Sequence, residues 1–186
     1  MSSQVRIVIL NYNGEAILPL CLPSIVQSAK RANGATAITL LDNQSGDQGL
    51  DYVRQNFPAV TIEKAPLNRV LCSYNEYLTK IEEPIVILLN NDIRVEPDFI
   101  NPLVERFLSD AGTFLVAPRV MNFDGSRIDA AASKGRMRFG IFRCEGRYRG
   151  YEREALLPSQ TFSSGFGAFS REKFLALGGY DERYLP

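Results

Sequence analysis

Residues 5–10, VRIVIL, are rich in β-branched apolar side chains, the composition of a strand buried on both faces of a sheet. Asn11-Tyr12-Asn13-Gly14 then breaks the run. From residue 16 to residue 31 the rhythm changes: Ile17, Leu18, Leu22, Ile25, Val26 and Ala29 recur at helical spacing, and Asn33-Gly34 supplies a stop. Pro19 suits the first turn of such a helix, whereas Pro23 must kink or distort the turns beyond it. TAITLLD (36–42) reads as a second strand, GLDYVRQNF (49–57) as a short helix closed by Pro58, and AVTIEK (59–64) as a third strand. SYNEYLTKI (73–81) reads as a helix and residues 85–89 as a fourth strand. Pro97 fits the first position of a further helix, whose apolar stripe is Phe99, Ile100, Leu103, Val104, Phe107 and Leu108.

Strand alternating with helix through short connections predicts an α/β fold with a mostly parallel central sheet and right-handed crossovers. Beyond FLVAPRV (114–120) the alternation is lost. Asp124-Gly125 marks a turn, and residues 134–153 scatter Lys134, Arg136, Arg138, Arg143, Arg147, Arg149 and Arg153 among glycines and aromatics. That pattern is a long loop or an irregular hairpin. TFSSGFGAFS (161–170) returns to strand, Ser170 can cap a helix running through Leu177, and Gly178-Gly179 ends it.

With 186 residues and 45% hydrophobic side chains, one domain with a substantial core is expected. Basic and acidic residues balance at 21 each, so no global field attracts nucleic acid and any anion site must be local. Cys21, Cys72 and Cys144 lack metal-ligand spacing and fit reduced thiols in a cytoplasmic protein. The absence of histidine leaves a carboxylate, or a rarer group, as any general base. No apolar stretch approaches the roughly 20 residues of a spanning helix.

The chemistry concentrates where strands end. In an open parallel sheet, ligands bind beyond the carboxyl ends of the strands, where loop amides and helix N-termini converge. Here those ends read Asn11-Tyr12-Asn13, Asp42-Asn43 and Asn90-Asn91-Asp92. Turn propensity explains any one of them alone, but three on one sheet edge would line a single cleft. Asp42 and the asparagines can pair with the N–H and carbonyl groups of a heterocycle, Tyr12 offers a stacking face, and Asp92 is a hard oxygen ligand for Mg2+ or Mn2+. Together these groups suit a nucleoside diphosphate with its metal. GxGxxG after the first strand and GxxxxGK[ST] are both missing, which argues against a dinucleotide-dependent dehydrogenase and a P-loop NTPase.

VILNYNG, LLDNQS, LNRVLCSYN, ILLNNDIRVEPDF and SSGFGAFSREKFLALGGYDE follow one another in this order over nearly the whole chain. Together they resemble an inverting family 2 glycosyltransferase of the GT-A fold, in particular bacterial rhamnosyl- and galactosyltransferase-like members. The resemblance implies a nucleotide-sugar-binding half over residues 1–93 and an acceptor-side half over 94–186. It implies that Asn11, Tyr12 and Asn13 cradle the base of a UDP- or dTDP-sugar, that Asp42 reads a ring N–H, and that Asn68 and Arg69 border the nucleotide. It places Asn91 and Asp92 against the donor, with Asp92 as metal ligand and catalytic residue for Mg2+ or Mn2+. Asn75 reads equally as structural or functional. Two departures stand out: relatives commonly carry glycine where this chain has Val70, and acids at both ends of the triplet where only Asp92 remains acidic.

By the same resemblance the general base lies in an acidic motif after GGYDERYLP, beyond Pro186. That leaves Asp181 and Glu182 as the acids on the acceptor side, and Asp181 as a second catalytic candidate. The basic segment 134–153 is either a solvated loop or a lid meeting diphosphate, a lipid-linked acceptor or a glycan. The implied setting is polysaccharide or cell-surface glycan assembly, in the cytoplasm at the inner face of the membrane, with peripheral membrane association. A chain ending at Pro186 is expected to expose apolar surface near Phe174, Leu177 and Tyr184, with low solubility or a homo-oligomer as the result. A nucleotide-binding module without catalysis is the alternative from another class. A nucleotidyltransferase ranks last, because LNYNG carries no glycine-rich basic phosphate loop.

Overall fold

In the computed structural model, residues 4–130, 133–147 and 166–185 are described. The first half alternates as the hydrophobic rhythm predicts: β1 (Val5–Asn11), α1 (Leu18–Arg31), β2 (Thr36–Asp42), α2 (Gly49–Asn56), β3 (Thr61–Lys64), α3 (Ser73–Leu78), β4 (Ile85–Asn90) and α4 (Ile100–Ser109). Short strands come next, β5 (Leu115–Val116), β6 (Val120–Met121) and β7 (Ile128–Ala130), then β8 (Ser133–Arg138), β9 (Ile141–Arg147), β10 (Gly167–Ser170) and α5 (Arg171–Ala176). The main sheet has the order β3-β2-β1-β4-β10-β5. Its first four strands are parallel, and β10 enters antiparallel between β4 and β5.

Side chains alternate across the sheet, so β1 sends Ile7 and Ile9 to one face and Val8 and Leu10 to the other. On the first face they meet Leu18, Leu22 and Ile25 of α1 and Ile100 and Leu103 of α4. On the second they meet Tyr74, Tyr77 and Leu78 of α3 and Phe174 of α5. Both faces are covered, which is why β1 and β4 read as apolar runs rather than alternating ones. Arg6 is the exception within β1. Its guanidinium donates to Glu83 at 2.5 Å and to Thr39 Oγ1 at 3.2 Å, and Thr39 pairs in turn with Tyr77 Oη at 2.8 Å.

Several boundaries differ from the sequence expectation. α1 begins at Leu18 rather than residue 16 and runs through Pro23 without interruption. Pro23 costs this helix one intrahelical bond, the one to the Pro19 carbonyl. Pro97 does not open α4: it sits in the turn closed by Phe99 N–H donating to the Glu96 carbonyl at 3.1 Å, one turn ahead of Ile100. That is the second position of a β-turn, where a fixed φ is equally favoured. Over 133–147 the basic segment is a hairpin; residues 148–153 lie outside the described residues, as do 161–165 of the predicted strand 161–170. Ser170 caps α5 as expected, and Gly178 and Gly179 succeed it at φ 86° and 72°. Of the three residues expected to be exposed, Leu177 and Tyr184 are, but Phe174 is buried edge-on between Phe169 and Tyr180. No helix among the described residues is long and apolar enough to cross a membrane.

Candidate functional site

Parallel register brings the polar strand ends side by side: Asn11 pairs with Asp42 across β1 and β2, and Leu10 pairs with Asn90 across β1 and β4. Asn11 is fully buried and links all three strands. Its Nδ2 donates to Asp42 Oδ1 at 3.2 Å and to Ser45 Oγ at 3.1 Å, while its Oδ1 accepts from Asn91 Nδ2 at 2.9 Å. An amide suits this place because it donates toward an acid and accepts from another amide at once. Asp42 is buried too, and its second oxygen accepts from the Ser45 N–H at 3.2 Å. The backbone reinforces the join: Asn43 N–H donates to the Asn11 carbonyl at 2.7 Å and Asn91 N–H to the Leu10 carbonyl at 3.1 Å. Tyr74 Oη donates to the Leu89 carbonyl at 2.8 Å and fixes the end of β4 from the other face. Burial drives the Tyr74 phenol well above its ordinary value, so it stays neutral.

The loop after β1 clasps the loop after β2. Asn13, at φ 48°, donates its N–H to Ser45 Oγ at 2.9 Å and accepts from Gly46 N–H at 2.9 Å. Glu15 N–H donates to Asp47 Oδ2 at 2.7 Å. Gly14 is required by close approach: a Cβ there would lie 2.1 Å from Asn11 Oδ1 and 2.8 Å from Asn91 Nδ2. Tyr12 stands out of this clasp with 54% of its surface exposed.

A third loop is tied in through Asn43, whose Nδ2 donates to the Val70 carbonyl at 3.2 Å and whose Oδ1 accepts from the Ser73 hydroxyl. Asn68 folds back to accept from Val70 N–H at 3.1 Å. Val70 itself has φ 49°, a left-handed backbone that a β-branched side chain rarely takes. A glycine would adopt it without the Cβ clash, which gives the departure at this position a physical meaning.

Asp92 lies on the exposed turn just past Asn91. Among the described residues its carboxylate has no hydrogen-bond or ion-pair partner, and no three acids or cysteines gather into a metal-binding group. Its charge is felt at Cys21, whose thiol is pushed up first by burial and then by Asp92. Two of the three strand-end clusters are therefore spent largely on each other, and Asp92 stays exposed beside them.

The model of glycosyl transferase family 2 matches residues 6–178 of the chain. The chain belongs to glycosyl transferase family 2. Solved structures with the same GT-A fold include residues 1–349 of TarS from S. aureus, at TM-score 0.66 and 11% identity, covering 98% of this chain and 52% of that one. Another is the mannosyltransferase PcManGT from Pyrobaculum calidifontis in complex with GDP-Man and Mn2+, at TM-score 0.65 and 18% identity, covering 98% of this chain and 48% of that one. Identities this low speak to the fold. The family 2 chain described here spans about half the length of both. No curated protein matches it.

Within the family 2 fold, Arg69 is more than a solvated side chain. Its guanidinium contacts both oxygens of Glu182, at 3.0 and 3.1 Å, and so joins the loop after β3 to the segment after α5. Asn75 resolves as structural: it accepts from Tyr180 N–H at 2.9 Å and donates to the Tyr180 carbonyl at 2.8 Å. Asp181 is exposed and occupied by Arg183, which donates from Nε at 2.9 Å and from its terminal nitrogen at 2.6 Å. Those hydrogen bonds, with one from the Arg183 N–H, hold the Asp181 carboxyl at about 2. A carboxylate so held is a weak proton acceptor.

Sequence reasoning missed Ser45, Asn43 as a cross-link, and the Arg69–Glu182 pair. Ser45 lies three residues after Asp42, a local spacing that signals a side-chain-capped turn. The ion pair spans 113 positions and left no local signal.

Proposed function

We propose that the chain is an inverting, metal-dependent glycosyltransferase domain that takes a UDP- or dTDP-sugar and passes the sugar to a glycan or lipid-linked acceptor. The observation that carries this is the hydrogen-bonded series Asp42–Asn11–Asn91 at the strand ends, leading to an exposed carboxylate at Asp92 that has no partner among the described residues. Residues 1–93 supply the donor side and 94–186 the acceptor side in this reading.

Asp42 keeps a second lone pair on each oxygen and would accept a ring N–H of the base; Tyr12 would stack on it. Asn13, Asn68 and Arg69 would border the sugar–diphosphate, with Arg69 exchanging Glu182 for a phosphate oxygen. The donor set fits a hard divalent cation in part. Asp92 gives one oxygen ligand and Asn91 Oδ1, unused by the Asn11 bond, can give or orient a second, so diphosphate oxygens and water would complete the shell. When bound, Mg2+ or Mn2+ would neutralise the charge that develops on the departing diphosphate. Asn11 would hold Asn91 and Asp42 in register through substrate exchange. Asp181, paired with Arg183, would orient the acceptor-side turn rather than take its proton.

The test is a thermal-shift and calorimetric panel of UDP, dTDP, GDP and their sugars, each with and without Mn2+. Uridine or thymidine diphosphates should stabilise the chain, metal should bind well only with nucleotide, and Asp92→Ala should abolish the metal contribution alone. A chain that no nucleotide stabilises refutes the reading. Donor hydrolysis separates it from a nucleotide-binding module, which would bind the same ligands and leave the glycosidic bond intact.

A further inference from the structure

From Arg136 to Arg143 the chain reads RMRFGIFR, three arginines and four large apolar side chains with no acid. β8 and β9 pair only with each other, so the hairpin stands off the main sheet among the described residues. A lone two-stranded hairpin is marginal in water. The register sets Met137 against Phe142 and Arg136 against Arg143, and because side chains alternate, these pairs lie on opposite faces. Phe142 packs over Gly135, where a Cβ would come within 2.3 Å of the ring. The second face carries Arg136, Arg143 and Arg138, the last paired in register with Ile141.

The tip is the telling part. Phe139 and Gly140 have φ 51° and 74°, the two left-handed residues of a type I′ turn. Asn or Asp favours the first of these positions, and a bulky aromatic does not. Phe139 nevertheless occupies it with 89% of its surface exposed, flanked by Met137 at 64% and Ile141 at 58%. Local folding rules are violated here and, beyond the adjacent Arg138, the exposed ring has little packing to compensate, which is the mark of a position available for contact with something else. Arg138 lies over the Phe139 ring, 5.1 Å from its centroid, so charge and apolar surface are presented together.

We infer that this hairpin is a membrane-contact element: Phe139, Met137 and Ile141 enter the interfacial zone of a bilayer, and Arg136, Arg138 and Arg143 bind anionic lipid headgroups. Aromatic side chains with basic neighbours are the combination that partitions to such an interface. The charge complementarity selects a lipid surface over an apolar protein groove, because three guanidiniums beside an apolar tip would be costly to bury in protein. Among the described residues only Arg136 of the three has an acidic partner, the exposed Glu145 at 3.1 Å. The inference stands on the hairpin alone and is independent of the sugar-transfer reading.

The chain contains no tryptophan, so Phe139→Trp places a sole tryptophan, excited apart from the tyrosines, at the tip. Its emission should shift to the blue on phosphatidylglycerol–phosphatidylcholine vesicles, stay unshifted on pure phosphatidylcholine, and revert in high salt. Arg136→Gln, Arg138→Gln and Arg143→Gln should each weaken partitioning by roughly fivefold. Co-sedimentation of the unsubstituted chain with the same vesicles gives a second measure that no substitution can disturb. Absence of a shift with absence of co-sedimentation overturns the inference. So does equal binding to pure phosphatidylcholine, or a blue shift that grows with protein concentration without vesicles, which would assign the hairpin to a second copy.

Discussion

Asn11→Asp tests the strand-end network most directly. The substitution keeps the shape and still accepts from Asn91, but it sets an acidic oxygen where Nδ2 now lies 3.2 Å from Asp42 Oδ1. Two charges at that distance repel by about 5 kcal/mol at an effective dielectric constant of ~20. The folded pair therefore keeps one shared proton that the unfolded chain has already lost above its ordinary carboxylate range of ~4. The sign comes from linkage: the folded state binds the extra proton, so stability relative to wild type falls as pH rises, by about 1.4 kcal/mol per unit. At about pH 7 the deficit should reach roughly 4 kcal/mol, or ~8–16 °C in melting temperature for a chain of this size. Thermal and urea melts of wild type and Asn11→Asp across the acidic-to-neutral range measure it. Adding Asp42→Asn should return a donor–acceptor pair and remove the pH dependence. A deficit that does not change with pH would refute the reasoning, since it would mean that the two side chains do not share a buried site.

The same geometry carries further expectations. Asp92→Ala should leave the stability without ligand within about 0.5 kcal/mol of wild type, because Asp92 is exposed and has no partner among the described residues, and a large loss by denaturant melt would give it a structural role. Val70→Gly should be neutral or stabilising by up to about 1 kcal/mol, the relieved left-handed strain outweighing the added freedom of the unfolded chain; a clear destabilisation would show that Val70 is not strained. At the far end of the sheet, burial alone would raise the Glu83 carboxyl, but the Arg6 hydrogen bond, backbone hydrogen bonds and the Arg6 charge together outweigh it and hold the group below its ordinary value. The stability this adds is present above the ordinary carboxylate range and is lost as pH falls through the lowered value. Glu83→Gln should flatten that acid limb and cost about 3–5 kcal/mol at neutral pH, since Arg6, with 19% of its side chain exposed, would keep its charge without a counter-ion. A double-mutant cycle on Arg69 and Glu182 should give a coupling of only ~0.2–1 kcal/mol without ligand, because both side chains are about half exposed; a much larger value would show that the pair is a structural latch.

The fold of the first half was legible because burial on both faces forces apolar runs in β1 and β4, and helices must return between parallel strands. The sequence also showed that Asn11, Asp42 and Asn91 would share a sheet edge, since each ends a strand or directly follows one. It did not show how they divide the work. Asn11 and Asp42 are buried and bond each other, whereas Asp92, one residue past Asn91, is exposed, and the register of β1 against β2 and β4 sets them side by side. The position of β10 was equally hidden. Its four residues say strand, but its antiparallel place between β4 and β5 depends on a chain path that includes residues far from any local signal.

By itself, then, the sequence determined the α/β alternation, the chemistry at the strand ends and the capped helix after Ser170, all of which come from local periodicity and short-range hydrogen bonding. Tertiary structure alone decided that Asn75 and Tyr180 clasp, that Arg69 reaches Glu182, that Phe174 is buried, and that the basic segment over 133–147 is a hairpin with a phenylalanine at its apex. Each of the first two joins residues more than a hundred positions apart, and the cost and reward of such contacts depend on where the rest of the chain places them.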